Sequence, residues 1–502
     1  MNIVIVGGGT SGWTTALILA NEHPQHHFTV IESSKIGIIG VGESTTGYFT
    51  NLFDGRYGLH LKEFMLATNA TPKYAIKHQN WSNNVTDYYV APIDGSYTSG
   101  LDQDLFFSWG INFLERKELP TVSRLGNFLQ KGYTFFHKQD KDFIDFNFAL
   151  HIDGQKTSQY LKTHVLKLQN VDLIDTEVTK VILDEKGFIK SLDLANDNNL
   201  KGDFFIDCSG FKKFLIGELE KDNWISYKKY LPVDTAIPFF TYYEENEIPE
   251  MYTTAWAQNN GWVWRGPLAH RRGNGYVFSS DFSTVDDAIT EVEKVYGHKI
   301  EPIKIVKFDA GRLKQSWIKN CFANGLSSQF LEPMEATAIH HTVVQTQILS
   351  KQFLKNTLVD TCNEHSQKIY NETNAKAVDD YMNFLNIHYM GGRTDTDFWK
   401  YIKNECCTEF NKTLIESAKS RIPSRYDFPT YYGSGGGPLY SHVMYGLGLL
   451  DKDVAFYDIN RTYEMQDIKN NLLDLQDEWI NYMSYCMTSE EFHNYRLKIK
   501  TQ

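Results

Sequence analysis

Apolar residues run unbroken from Ile3 to Val6, the pattern of a short strand buried on both faces. A glycine-rich turn follows, and then "TSGWTTALILA", whose apolar positions have helical spacing. A second apolar strand, "FTVIE", ends at Glu32. The same short run returns in "GDFFIDCSGF", where Phe204 to Ile206 lead to Asp207 and a Ser209-Gly210 turn. In "GWVWRGPL" the chain alternates instead, which places Trp262 and Trp264 on one face of an extended strand. From about residue 346 helical spacing takes over. Ile468, Leu472, Leu475, Trp479 and Met483 recur on one face, and "DFWKYIKNECCTEF" is expected to form a helix in the same way. Between these stretches "GSGGGP" predicts a flexible loop, here expected to act as a lid flanked by Tyr431, Tyr432 and Tyr440.

Composition narrows the classes. The 502 residues are 42% hydrophobic and 22% charged, an ordinary globular balance with no apolar run long enough to span a membrane. The start of the chain lacks the basic region of a signal peptide. A net charge of −12 argues against a general nucleic-acid surface. Six scattered cysteines without a C-x-x-C pair argue against a metal ribbon or a disulfide framework and fit a reducing cytoplasm. Aromatic residues make up 14%, a high share that suits a site lined with flat side chains.

The turn after the first strand carries chemistry. Gly7, Gly9 and Gly12 fit G-x-G-x-x-G, in which the first glycine permits the turn. The second lets the backbone approach a pyrophosphate, and the third lets helix and strand pack closely. Glu32 stands 20 residues after Gly12, where an acid meets a ribose hydroxyl. The long glycine-bearing loop from Gly37 to Thr45 favours FAD over NAD, since it suits an extended cofactor with a second half to hold. His23, His26 and His27 are expected in a solvated turn. His340 and His341, being adjacent, are not expected to share a metal, and no metal site is expected.

Several further motifs, in order over roughly residues 1–345, resemble those of the flavin-dependent halogenases of the tryptophan-halogenase family. They are "GGGTSGW", with Trp13 after Gly12; "GVGEST", similar to the strap loop between flavin and halide; and "TPKYAIKHQNW", which aligns the essential lysine with Lys73. "FALHIDGQKTSQYL" has the His-x-Asp at His151 and Asp153, and "DFFIDCSGF" matches the later strand. "GWVWRGPL" is similar to W-x-W-x-I-P, with Gly266 in place of isoleucine, and "NCFANGLSSQFLEPMEATAIHH" to the segment of the catalytic glutamate, which maps to Glu335.

The resemblance implies an α/β protein with an FAD-binding Rossmann-like fold of the hydroxylase-type flavin monooxygenases, mixed sheets and a mostly helical C-terminal region. Residues 1–345 would form a discontinuous box holding flavin, halide site and lysine, and residues 346–502 the substrate side. It implies flavin contacts at Gly7, Gly9, Thr10, Ser11, Gly12, Trp13, Glu32, Gly40, Gly42, Glu43, Ser44, Val178, Leu326 and Ile339, and halide contacts at Thr337 and Ala338. Trp262, Trp264, Gly266 and Pro267 would wall a tunnel, widened where glycine replaces isoleucine. Reduced FAD, oxygen and chloride, bromide or iodide would give hypohalous acid. That oxidant would reach an electron-rich aromatic, an indole or phenol, held apart from the flavin.

Hypohalous acid is indiscriminate in water, so a group must capture and aim it. Lys73 could form a haloamine when neutral or hydrogen-bond the oxidant when protonated. Glu335 could orient the oxidant or take the ring proton as general base, and Glu332 is the competing acid. No NAD(P)H domain is evident, so a separate flavin reductase is expected to supply FADH2. The other expected partners are the aromatic substrate and further copies of the chain. The rival readings are an aromatic hydroxylase, which needs no lysine, and a non-catalytic FAD-binding protein, which needs only the glycine motif.

Overall fold

The computed structural model describes residues 1–37, 40, 42–83, 87–94, 123–354, 363–423, 427–428, 437–451, 453–454, 457 and 465–500. It divides into two compact units, each drawn from three stretches: Met1–Thr68, Ile152–Tyr227 and Asp309–Val378 in the first, Asn69–His151, Lys228–Phe308 and Asp379–Gln502 in the second. The position expected to separate box from substrate side, 345, falls inside the helix Thr337–Ile348.

The first unit is built on a six-stranded sheet in the order Trp317–Ile318, Cys321–Ala323, Phe204–Asp207, Asn2–Val6, His27–Glu32, Val171–Asp175. All neighbours are parallel except the Trp317–Ile318 edge. The apolar runs seen in the sequence are its central strands, and Ile3, Ile5, Phe204 and Ile206 are fully buried. Asn2–Val6 lies between the strand that follows it in the chain and one 200 residues away, so the sheet's strand order reverses there. In open parallel sheets such a reversal opens a crevice at the carboxyl ends of the strands. The helices Thr10–Glu22, Gly154–Val165 and Thr337–Ile348 pack beside it.

The second unit holds a seven-stranded sheet in the order Val306–Lys307, Thr235–Thr241, Arg272–Phe278, Gly261–Pro267, Tyr252–Ala257, Ala75–Gln79, Tyr88–Pro92. Its one parallel pair joins Tyr252–Ala257 to Ala75–Gln79. Val263, Ile237, Phe239, Tyr276 and Phe278 form a core with the helix Val285–Tyr296. Trp262 and Trp264 alternate with Val263 and so take the opposite face. Trp264 lies over Gly275, directly across the ladder, where a Cβ would come within 2.0 Å of its ring. Trp262 meets Trp81 at 6.2 Å between centroids, and Trp81 continues to Tyr389 and Trp399.

The C-terminal stretch is helical, as its spacing predicts. In Met465–Ser484, Trp479 and Met483 are buried and Leu475 is half-buried, while the side chains of Ile468 and Leu472 lie outside the described residues. Two expectations need correction. "DFWKYIKNECCTEF" is two helices, Asp397–Glu405 and Glu409–Ser417. The Asn386 amide takes the Cys406 carbonyl at 2.8 Å, and Thr408 caps the new helix at Asn411 N, 3.1 Å. Helical periodicity persists across a break made by polar groups, so apolar spacing alone does not reveal it. The histidine turn is not solvated: His23 and His26 are buried and stacked 5.7 Å apart. His23 Nε2 lies 2.8 Å from Ser350 Oγ, and only His27, paired with Asp172, faces outward. Of the expected lid "GSGGGP", Gly433 to Gly436 and the flanking Tyr431 and Tyr432 lie outside the described residues; Gly437 and Pro438 instead open the helix Gly437–Gly446, in which Tyr440 is buried.

Candidate active site

In the first unit the glycine motif is shaped for an extended anionic ligand. Gly7 has φ +123°, and a Cβ there would meet the Cys208 carbonyl at 2.1 Å. A Cβ on Gly12 would strike the Gly7 carbonyl at 1.8 Å, so helix and strand touch through bare backbone. Around Gly9 nothing lies within 4 Å of such a Cβ. Gly9 is the N-cap of Thr10–Glu22 and gives no side-chain cap, so the first N–H groups of that helix lack intrahelical partners. Thr10 is near Ser158 (3.3 Å), and Ser11 donates to the Cys208 thiol (3.6 Å). Open space, bare backbone and free donors together fit the pyrophosphate of FAD.

Glu32 ends the second strand with its carboxylate over Gly8. One oxygen accepts from Trp13 Nε1 at 3.0 Å and the other pairs with Lys162. In the strap, Gly42 has φ +104°, and Glu43, beside Gly40 and Ser44, accepts from Gly154 N at 2.9 Å. Val178 begins the strand Val178–Leu183 and packs on the sheet core.

The downstream segment joins two helices of the same unit. Asn324 donates to Thr15 (3.0 Å), Thr346 (2.8 Å) and the Thr342 carbonyl (3.2 Å), stitching the helix Thr10–Glu22 to Thr337–Ile348. Leu326 and Ile339 are half-buried apolar groups, and Glu332 is buried. Glu335 is half-buried in the turn just before Thr337–Ile348. Ala336 has φ +56°, the left-handed region, and the helix it precedes has no side-chain cap. The Thr337 hydroxyl is buried and has no hydrogen-bond partner among the described residues. An orphaned O–H beside free helix N–H groups is a donor set that suits a halide. Desolvation holds His340 down to about 4 and His341 to about 3, so both are neutral near pH 7. His340 Nδ1 lies 3.0 Å from Thr46 Oγ1.

Lys73 belongs to the second unit, in the strand Thr71–Lys73, and is only 1% exposed. It stands opposite Ala149, and Thr71 stands opposite His151. Burial pushes His151 and His78 well below the ordinary imidazole range; the Lys73 charge adds to both, and His388 adds to His78. His78 stacks on Tyr89 at 4.6 Å and lies 4.8 Å from His388. These two imidazoles escaped sequence reasoning. The only signal was a histidine at an inward position of the alternating strand Ala75–Gln79. The structure therefore gathers the glycine motif, Glu32, the strap, Glu335, Thr337 and Ala338 in one unit, and Lys73, Trp262, Trp264, Gly266 and Pro267 in the other.

A parallel sheet reversed at its first strand, with a glycine cradle beside it, is the arrangement of a Rossmann-type dinucleotide-binding protein. Comparison with known proteins makes the class specific. The family model for tryptophan halogenase matches residues 2–456, and the chain belongs to that family. It is 30% identical over 491 residues to the tryptophan 6-halogenase ThaL of Streptomyces albogriseolus, covering 90% of each chain. The crystal structure of the tryptophan 6-halogenase SttH from Streptomyces toxytricini superposes with a TM-score of 0.85 at 28% identity, over 99% of both chains. That of a tryptophan halogenase from Shewanella frigidimarina gives 0.88 at 25% identity, over 99% of this chain and 98% of the other. The protein is a flavin-dependent halogenase that uses FADH2 and halide on an aromatic substrate and relies on a separate flavin reductase. The hydroxylase and non-catalytic readings are set aside. Among the described residues no helix is long and apolar enough to cross a membrane.

Proposed function

We propose that Lys73 and Glu335 carry the halogen transfer, and that the flavin is held by Gly7, Gly9, Thr10, Ser11, Gly12, Trp13, Glu32, Gly40, Gly42, Glu43, Ser44, Val178, Leu326 and Ile339. Bound and reduced, the flavin supplies the chemistry that oxidises halide with oxygen to hypohalous acid. Thr337 and Ala338 hold the halide, the first through its unpartnered hydroxyl, both through backbone N–H. Lys73 takes up the oxidant: a neutral amine displaces hydroxide from the halogen, and an ammonium donates to the oxidant's oxygen. Glu335 orients the oxidant or accepts the ring proton. Trp262, Trp264, Gly266 and Pro267 line the oxidant's route on the Lys73 side.

The observation that carries this reading is the burial of Lys73. An amine withdrawn from water beside imidazoles held neutral is placed for chemistry, because solvation alone would keep a lysine at the surface. Every proposed catalytic and cofactor residue lies within residues 1–345, which leaves 346–502 as the substrate side. Relatives named as tryptophan halogenases make an indole the first substrate to test and phenols the second. Larger halides are easier to oxidise, so bromide or iodide is expected to serve as readily as chloride. A cytoplasmic setting belongs to this reading, supported by free thiols at Cys208, Cys321, Cys406, Cys407 and Cys486. The test is mass spectrometry of an aromatic panel after reaction with a reductase, NADH and each halide in turn. A hydroxylated product without halogen would overturn the reading.

A further inference from the structure

We propose that His151 is the positioning residue for Lys73, acting through a one-directional line of hydrogen bonds that joins the lysine's strand to the tryptophan strand. The inference rests on the assignment of Lys73 made above, and its test separates the two.

The line can be written with only one set of protons. The Thr71 hydroxyl reaches the Pro267 carbonyl, which only accepts, so Thr71 donates there. A hydroxyl has one hydrogen, so towards His151 Nδ1, 3.1 Å away, Thr71 must accept, and Nδ1 carries the proton. Burial keeps the ring neutral, and a neutral ring protonated at Nδ1 has a bare Nε2. Thr253 Oγ1, 2.9 Å from Nε2, is then the donor. All three side chains are buried, His151 completely.

The consequence is geometric. Thr71 and Lys73 are two residues apart on one strand and so share a face. Pro267 ends the strand that carries Trp262 and Trp264. Thr253 lies in the next strand of that sheet. Thr71 thus ties the strand of Lys73 directly to the end of the tryptophan strand, and the imidazole ties it to the neighbouring strand through Thr253. It does so as a neutral group, adding no positive charge beside the lysine. A reactive group must be held to within a fraction of an ångström, and misplacement by about 1 Å can cost about 100-fold.

The test uses the full-length protein with a flavin reductase and reads halogenated product per flavin oxidised, free hypohalous acid caught by an external trap, FAD affinity and the thermal midpoint. His151→Phe removes both ring nitrogens, and Thr71→Val removes one hydroxyl at nearly constant shape. Each is expected to lower product per flavin by about tenfold or more while trapped oxidant rises. His151→Asn keeps a donor near the Nδ1 position and should recover part of the loss. The double variant His151→Phe with Thr71→Val should be little worse than either single one, since both cut the same line. Additive losses overturn the proposal, as does an unchanged yield in Thr71→Val. So does a loss that follows a fall in FAD affinity or thermal midpoint, which would make His151 a fold residue only. Lys73→Ala run alongside separates the premises: if it still halogenates, the assignment of Lys73 fails, whereas if it is inactive and the His151 and Thr71 variants are normal, only the positioning role fails.

Discussion

The two units hold their polar groups in opposite ways. Around the glycine motif and the start of Thr337–Ile348, donors are left open among the described residues: helix N–H groups without a side-chain cap, space at Gly9 and a Thr337 hydroxyl without a partner. Around Lys73 the amine is sunk in the core, and the imidazole of His151 engages both nitrogens with threonine hydroxyls. As proposed, the first arrangement would read a ligand through backbone, which tolerates side-chain change better than an added Cβ at Gly7 or Gly12. The second depends on particular side chains and their protonation. Substitutions should therefore separate flavin turnover from halogen transfer.

The sharpest break is Lys73→Ala. Halogenated product should fall at least about 1,000-fold while FAD binding and oxygen consumption by reduced flavin stay near normal. Trapped hypohalous acid should rise in the same assay. Retained product with wild-type regiochemistry would remove Lys73 from the mechanism. Next comes Glu335→Gln, where loss of a general base typically costs about 100–10,000-fold in the chemical step. If it leaves kcat untouched, Glu332 becomes the acid to examine. Thr337→Val takes away the orphaned donor and should raise the halide KM about 10–100-fold with little change in FAD affinity. Equal halide KM values in the two proteins would place the ion elsewhere.

Gly266→Ile should have a smaller effect than any of these. It puts a large side chain on the face of Trp262 and Trp264 and should alter coupling or halide preference more than FAD affinity. A collapse of FAD binding with coupling per bound flavin unchanged would show that Gly266 serves the other unit. The smallest effect concerns acid stability. Burial is the largest cause that lowers His23 and His26 from 6.5, so the unfolded chain binds their protons more readily. Their contribution is full above about pH 6.5 and is lost as pH falls through the lowered folded values. Between pH 7.5 and 5.5 the melting temperature should drop by roughly 2 °C on this account, and His23→Gln should flatten the slope, as calorimetry can measure.

Much of the first unit was legible in the sequence because its function lies in backbone. A glycine triplet after an apolar run permits few geometries, and the strands Asn2–Val6, His27–Glu32 and Phe204–Asp207 form where the runs predict them. The alternation of Trp262 and Trp264 was legible for the same local reason. What escaped was non-local. His23 is buried because Ser350, over 300 residues away, meets it. The break at Cys406-Cys407 is made by Asn386 on another helix. His78 meets His388 through the fold, and the line through His151 needs threonines at 71 and 253 brought to one ring. Period and propensity describe neighbours in sequence, and these contacts are neighbours only in space.

The carboxylate of Glu32 is engaged at both oxygens by the chain itself, through Trp13 and Lys162. An acid so occupied keeps its place whether or not a ribose hydroxyl is near, so the cradle does not need a lodger to stay in shape. If the flavin meets Glu32 as proposed, the binding free energy it gains there would be reduced by what these bonds already satisfy. For a protein fed by a reductase that is an advantage, since each turnover must admit a fresh reduced flavin and discharge a spent one. In kinetic terms FAD would then behave less as a prosthetic group than as a second substrate, with its own saturation curve and its own rate of departure.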